Sequence, residues 1–453
     1  MMLLSEVALA VNGRLSGADV MIACVDSDSR NIEKNQLFVA IKGERFDGNT
    51  FALEAINKSA AAVLISDASS SAQPAVIVDD TRLALGQLAA YWRSKSAAPV
   101  VAITGSNGKT TTKEMLSAIL VAATGNQSFV HATKGNLNND IGLPLTLLKT
   151  RAQHQYVVAE LDYLTHIAKP NVAVINNAGT AHIGELGSRE NIAQAKGEIF
   201  AGLASYGIAV INEDSAFASY WKSLNANRKV LTFSTQQRAD VSANFEQFPL
   251  YTVLDLTTSN GTVSFDLPVA GLHNVQNALA ASTAAVALGI SNENIAKGLS
   301  GFAGVYGRLQ YKRGFNAATL IDDTYNANPD SMKVALDVLS ALGNKHVFVM
   351  GDMGELGVDA SAMHAEVGRY AKQKGIQHFF TLGEASCAAA AAYGEGAKSY
   401  DDLDALVEAV KPLLASDVYI LVKGSRFMRM ERVVAKLLEL DEKNQKMEKT
   451  QCC

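Results

Sequence analysis

Four cysteines in 453 residues (Cys24, Cys387, Cys452 and Cys453) leave little room for cystine chemistry. They are scattered except for the last two, with neither metal-ligand spacing nor a disulfide framework, which suits a reducing compartment. An excess of one charge sign is also missing: 40 Lys and Arg stand against 45 Asp and Glu, a net charge of −5. That balance argues against a nucleic-acid coat and against a polybasic membrane anchor. No apolar run reaches the roughly 18 residues of a spanning helix, so stable membrane insertion is not expected. The opening MMLLSEVALAVNG is apolar and holds the cleavage-like Ala8-Leu9-Ala10. It lacks a basic n-region and Glu6 interrupts it, so no signal peptide is expected and the chain reads as cytoplasmic. The tail DEKNQKMEKTQCC is not a C-a-a-X box and reads as a frayed end. No internal repeat is visible.

What is present is core-forming material: 48% of residues are hydrophobic, and the length sets a prior of roughly three domains of about 150 residues. Residues 1–82 alternate short apolar runs (37–41, 61–65, 75–78) with polar turns and one helical stretch near 50–58, a small α/β pattern. Residues 83–307 hold buried-strand candidates at 100–104, 156–161, 172–176 and 208–212 with helical patterns between them, the signature of a doubly wound, mostly parallel sheet. The alternation over 251–267 reads as antiparallel strands. From Arg308 to residue 453 a third, Rossmann-like α/β set follows, with strand candidates at 318–322, 346–350, 378–382 and 418–422. No G-x-G-x-x-G follows its first strand. The glycine-rich 304–314 stretch between the second and third sets reads as a hinge.

The stretch VVAITGSNGKTTTKE, residues 100–114, carries the clearest chemistry. A strand runs into a glycine-rich turn and then into a helix with Met115, Leu116, Ile119 and Leu120 at helical spacing. Backbone N–H groups and a helix N-terminus point at an anion, Lys109 neutralises charge, and the Thr110 hydroxyl suits Mg²⁺. A nucleoside triphosphate is the expected ligand. The full G-x-x-x-x-G-K-[ST] pattern would need glycine at position 103, where Ile103 stands; the loop is a tighter T-G-x-x-G-K-T.

That loop resembles the ATP-binding loop of the Mur ligase family, the ATP-dependent amide ligases of peptidoglycan synthesis. Further segments resemble the family in order along the whole chain: NLNNDIGLPLTLL (136–148), NNAGTAHIGELGS (176–188), IAQAKGEIF (192–200), GLHNVQNALAA (271–281), GRLQ (307–310), IDDTYNANPDSM (321–332), GDMGELG (351–357) and VKGSR (422–426). Within the family they resemble the branch that joins D-alanyl-D-alanine to UDP-N-acetylmuramoyl-tripeptide. The branch that adds the third residue carries Asp-Asn-Pro-Arg where this chain has Asn326-Ala327-Asn328-Pro329-Asp330.

The resemblance implies a set of roles. Gly105, Ser106, Asn107, Gly108, Lys109, Thr110 and Thr111 would cradle ATP, with Lys109 on the β- and γ-phosphates. Thr110, Glu160, His182 and Lys196, the last as a carbamate, would order magnesium. By spacing alone, Glu160 is equally a solvated strand-end carboxylate, His182 a surface histidine and Lys196 an exposed helix lysine. Asn277 would read adenine through an amide that both donates and accepts. Arg308 would approach the phosphates, and Asp323, or equally Asp322, the ribose. Asn274 has a structural alternative. Ser27, Ser29, Arg30 and Arg45 would form a uridine-diphosphate-sugar pocket, although each arginine is also an ordinary surface residue. Asn138, Asn326, Asn328, Lys423, Ser425 and Arg426 would contact the peptide substrates. The partners implied are the UDP-linked tripeptide and the dipeptide, acting on a monomer.

One departure stands out. After Glu160 the family has a loop resembling Gly-Ala-Asn-His-x-Gly-Glu-Ile, whereas here VVAEL runs straight into Asp162-Tyr163-Leu164-Thr165. If 156–161 and 171–176 are adjacent parallel strands, the link is shorter than the dozen residues a crossover usually takes. A broken or missing loop at 161–162 is therefore expected, with a shortened helix after it. Two alternative functions remain open: a folate-polyglutamate type of ligase, which shares the tight loop, and a P-loop NTPase that forms no amide. The N-terminal region and the Asn-Ala-Asn-Pro segment argue against the first. The loop spacing and the lack of an Asn-Lys-x-Asp guanine reader argue against the second.

Overall fold

The computed structural model describes residues 1–438 apart from residues 44, 45, 162, 163, 182 and 344. Three larger sheets carry the chain. The first is five-stranded, in the order Arg14–Ser16, Ala75–Ile77, Ala62–Ile65, Gln36–Val39 and Cys24–Asp26. The helix Thr81–Ser94 leaves it and packs against the helices Gly142–Leu148 and Thr165–Ala168 of the next sheet.

The central sheet has nine strands. From one edge they are Gly261–Leu267, Thr252–Thr258, Val241–Gln247, Lys229–Ser234, Ile208–Asn212, Val172–Ile175, Val100–Thr104, Tyr156–Glu160 and Val130–Ala132. The last seven run parallel and the first two close the edge as antiparallel strands, as the alternation over 251–267 predicts. Alternation along Val100–Thr104 serves both faces, because successive side chains of a strand point opposite ways. Val100 and Ala102 join a core shared with Leu37, Leu64 and Leu85 of the N-terminal region. Val101 and Ile103 join a second core built with Met115, Leu116 and the helix Leu272–Ala287.

Strands 156–160 and 172–175 are not neighbours. Val100–Thr104 lies between them and pairs with both in parallel. The strand order therefore reverses at Val100–Thr104, and in open α/β sheets ligands bind outside the carboxyl ends at such a point. The helix within the crossover is a single turn, Thr165–Ala168, bracketed by Leu164 and Lys169 in the left-handed region (φ +69° and +40°). Its C-terminal end is met by Arg93 of the helix Thr81–Ser94: Arg93 Nε donates to Ala168 O at 3.0 Å, and Arg93 Nη2 donates to the side-chain Asn171 Oδ1 at 3.1 Å. Asn171 Oδ1 also accepts from Val100 N at 2.9 Å. The break expected at 161–162 falls on Asp162, outside the described residues.

The C-terminal sheet has six strands, in the order Gln310–Arg313, Thr319–Asp323, Val418–Lys423, Lys345–Gly351, His378–Leu382 and Ala397–Tyr400. All pair in parallel except Gln310–Arg313, and a separate core covers each face. The four strand candidates of this region fall on four of these strands. Among the described residues no helix is long and apolar enough to cross a membrane.

Candidate active site

The phosphate loop leaves the buried strand Val100–Thr104 and enters the helix Lys109–Thr124 through Gly108, whose φ is +79°. Glycine adopts that conformation without the Cβ clash other residues meet. Space demands glycine here as well, since a Cβ at Gly108 would collide with Asn277 Oδ1. The loop is pinned from the turn after Val172–Ile175. Ser106 N donates to Asn177 O at 3.1 Å, Asn107 N donates to Asn177 Oδ1 at 2.9 Å, and Asn177 Nδ2 returns a bond to Asn107 O at 3.1 Å. Beneath the loop, Asn176 Nδ2 donates to Thr112 Oγ1 at 2.7 Å and to Asn277 Oδ1 at 3.3 Å. The Asn277 carbonyl is thereby committed inward.

Glu160 ends its strand 4% exposed and accepts from Thr110 Oγ1 at 2.9 Å. Its backbone N–H donates to Thr133 Oγ1 at 3.0 Å, and the buried Lys113 Nζ donates to Thr133 O at 2.6 Å. Asn138 Nδ2 reaches Glu160 Oε1 at 3.4 Å. Arg308 Nη2 donates to Thr110 Oγ1 at 3.0 Å, and its guanidinium lies over the Tyr325 ring, 4.4 Å from the centroid. Lys109 Nζ donates to Gly105 O at 2.8 Å.

Of these groups Lys109, Asn138, Glu160, Asn277, Arg308 and Tyr325 form one wall of a cavity of about 720 Å³, with Thr110 behind them. The opposite wall comes from the C-terminal sheet: Asp323, Asn326, Lys423, Ser425, Arg426 and Phe427. Lys423 and Asp323 form a buried ion pair at 2.6 Å, and Lys423 Nζ also donates to Asn326 O at 2.9 Å. Ser425 Oγ donates to Ala327 O at 3.1 Å and accepts from Gly354 N at 2.8 Å. His273 completes the enclosure, and burial pushes its imidazole down to about 4, although Asp323 pulls the other way.

The cavity fits a nucleotide with Mg²⁺. Two polar atoms on the nucleotide-loop side, Ser106 Oγ and Arg308 Nε, are buried without a hydrogen-bond partner among the described residues. They are donors in search of an acceptor, which phosphate oxygens supply. Among the described residues no three His, Cys, Asp or Glu side chains converge. Mg²⁺ asks for less, because it takes one or two protein oxygens beside phosphate and water. The Thr110 hydroxyl and the Glu160 carboxylate, 2.9 Å apart, are oxygens of that kind.

The structure brings most sequence candidates into this cavity and sends others elsewhere. Ser106, Asn107, Gly108, Lys109, Thr111, Asn138, Glu160, Asn277, Arg308, Asp323, Asn326, Asn328, Lys423 and Ser425 line it. Asp322 does not. It is fully buried, salt-bridged to Lys312 at 2.6 Å and bonded to Thr324. Asn274 also lines the cavity, but its amide donates to Ala270 O and is held locally. Lys196, on the helix Arg189–Gly197, is 4% exposed, so the exposed-lysine reading from spacing is wrong. Asn328 is the N-cap of the helix Pro329–Ser340, with both amide ends engaged, by Ser331 N and by Asn107 Oδ1. Ser27, Ser29 and Arg30 are not among the cavity residues, and Arg30 folds back on Asp28 at 2.8 Å. Arg45 and His182 lie outside the described residues. Sequence reasoning missed Tyr325, Asn176 and the Thr180–Asp330 contact. Only the Asn-Pro helix start offered a local signal near the last of them.

The same chain order recurs in known proteins. Residues 21–93 match the Mur ligase family catalytic domain, 103–285 the Mur ligase middle domain and 307–426 the Mur ligase glutamate ligase domain. The UDP-N-acetylmuramoyl-tripeptide–D-alanyl-D-alanine ligase of Escherichia coli K12 is 41% identical over 448 residues, covering 96% of this chain and 98% of that protein. The crystal structure of MurF from Acinetobacter baumannii superposes with a TM-score of 0.88 at 37% identity, covering 96% of this chain and 98% of that one. MurF ligase from Thermotoga maritima in complex with ADP gives a TM-score of 0.82 at 26% identity, covering 93% and 98%. The chain belongs to the Mur ligase family.

Proposed function

We propose that this chain joins D-alanyl-D-alanine to UDP-N-acetylmuramoyl-tripeptide, forming the pentapeptide with ADP and phosphate. The observation that carries the reading is one cavity with a phosphate loop on one wall and the Lys423 and Asn326 cluster on the other. The end-to-end likeness to the E. coli ligase supports it. A terminal carboxylate oxygen of the tripeptide attacks the γ-phosphorus of ATP, and the bond to ADP breaks. The dipeptide amine then attacks the acyl carbon; the bond to phosphate breaks and the amine loses a proton.

The residues supply positioning and charge. Lys109 and Arg308 neutralise phosphate oxygens, and Asn277 offers its amide N–H group to the base. Asp323 accepts from the ribose once Lys423 turns toward the acyl phosphate. Thr110 and Glu160 would hold Mg²⁺, which would screen the phosphate charge. Buried Lys196, as a carbamate, and His182 belong to the same magnesium assignment. Addition of CO₂ would turn that lysine into an anionic carbamate, a group that can order a magnesium ion. Ser27, Ser29, Arg30 and Arg45 are assigned to the UDP-sugar end and Asn138, Asn328 and Ser425 to the peptide end. The reading takes the cytoplasm as the site of the reaction, since ATP is its co-substrate, and a monomer as the acting unit.

The test is phosphate release from ATP with the UDP-linked tripeptide, with and without D-alanyl-D-alanine, with the product followed by mass. Release that requires both, with a condensed product, supports the ligase. Turnover without any amino acceptor would move the chain to the NTPase reading.

A further inference from the structure

Besides Gly184 N to Glu355 O, Arg308 to Thr110 and Tyr311 to Pro249, three hydrogen bonds between the C-terminal and central regions meet at the start of the helix Pro329–Ser340. Asp330 Oδ2 accepts from Thr180 N at 2.8 Å and from Thr180 Oγ1 at 2.9 Å. Two residues earlier, Asn328 Nδ2 donates to Asn107 Oδ1 in the phosphate loop at 2.9 Å. Asn107 is locked to Asn177 by two reciprocal bonds, and Thr180 sits three residues further along the same turn. Gly179 lies between them, and a Cβ there would stand 2.6 Å from Asp330 Oδ2. Glycine at 179 lets the carboxylate reach the backbone. One turn is thus tied on one side to the phosphate loop and on the other to Asp330.

We propose that Asp330 is a positioning residue: with Asn328 it latches the Lys423 and Asn326 wall onto the turn that shapes the phosphate loop. The inference rests on the ligase reading for its kinetic consequence only. Asp330 is not among the residues that line the cavity; it acts through Thr180, while Asn328 acts through Asn107. When the loop and its turn hold the arrangement that binds nucleotide, Asn107 and Thr180 present their partners together, and the two walls close. When the turn moves, both bonds are lost at once. Asp330 is well placed for this, because a carboxylate in a helix's first turn is favoured by the helix dipole. Hydrogen bonds to a charged acceptor are among the stronger ones, shifting an equilibrium roughly tenfold or more.

The experiment uses the full chain and the variants Thr180→Val, Asp330→Ala, Asp330→Asn and the double variant Thr180→Val/Asp330→Ala. Steady-state phosphate release gives kcat and KM for the dipeptide and for ATP. X-ray scattering gives the radius of gyration with and without magnesium and AMP-PNP, and thermal melts check folding. Asp330→Ala should lower kcat/KM for the dipeptide about tenfold, leave the KM for ATP nearly unchanged, and abolish any compaction on adding AMP-PNP. The double variant should be no worse than Asp330→Ala, because the two residues serve one bond pair. Asp330→Asn, which keeps a carbonyl acceptor, should fall between wild type and Asp330→Ala. Losses that add in the double variant, or a wild-type-like scattering response in Asp330→Ala, would overturn the latch. Scattering that follows the expected pattern in a chain that forms no amide would leave the latch standing and remove the ligase reading instead.

Discussion

Tyr325→Leu removes the aromatic face on which the Arg308 guanidinium rests, 4.4 Å from the ring centroid. A partly desolvated cation–π contact is worth about 1–2 kcal/mol. If that stack is what aims Arg308 at the phosphates, kcat/KM for ATP should fall about 5- to 30-fold. The hydroxyl of Tyr325 is not needed for the stack, so Tyr325→Phe should stay within about twofold of wild type. Arg308→Lys should resemble Tyr325→Leu, because an ammonium cannot lie flat on a ring and donate sideways to Thr110 as a guanidinium does. The assay is phosphate release at saturating peptide substrates with ATP varied. If Tyr325→Phe falls as far as Tyr325→Leu, or if Tyr325→Leu leaves kcat/KM unchanged, the ring does not hold Arg308 and the reasoning is wrong.

Gly108→Ala puts a Cβ into a left-handed residue that also faces Asn277 Oδ1. It should lower unfolding stability by at least about 1 kcal/mol in urea titration and abolish detectable ATP binding by calorimetry; wild-type affinity would contradict the close approach. His273, near 4 when folded, takes up its proton in the unfolded chain first as pH falls below its ordinary value. The stability it contributes is present above about pH 6.5 and is lost by about pH 4, up to about 3 kcal/mol. His273→Gln should flatten that part of the urea-derived profile, leaving the slope of His131 and His154, whose values burial also lowers. A profile identical to wild type would rule out a neutral His273 in the folded chain. Arg93→Ala removes the guanidinium that donates to Ala168 O at the end of the short crossover helix and to Asn171 Oδ1, and should cost about 2–3 kcal/mol of stability. A change within about 0.5 kcal/mol would mean that water replaces the guanidinium there.

Much of this protein is written in runs of near neighbours. Val100–Thr104 is a buried strand because five apolar or β-branched residues follow one another before a glycine. The helix after Lys109 is legible because Met115, Leu116, Ile119 and Leu120 recur at its period. The phosphate loop is legible because glycines, a lysine and a threonine lie within seven positions. Such patterns are local, and the α/β class, the nucleotide chemistry and the family follow from them.

Tertiary structure decided which distant groups meet. Spacing made Lys196 an exposed helix lysine, and only the packing of the helix Arg189–Gly197 buries it. Asn328 looked like a peptide contact, yet its amide caps a helix and grips Asn107, 221 positions away. Asp322 and Asp323 are indistinguishable as neighbours in sequence. In the sheet their side chains alternate, so Lys312 takes the first and the cavity wall receives the second. Strands 156–160 and 172–175 read as adjacent until Val100–Thr104 is found between them. Periodicity encodes which face of an element is apolar, not which element covers it. Contacts such as Thr110 with Arg308 and Thr180 with Asp330 join residues 198 and 150 positions apart, and only the folded chain brings them together.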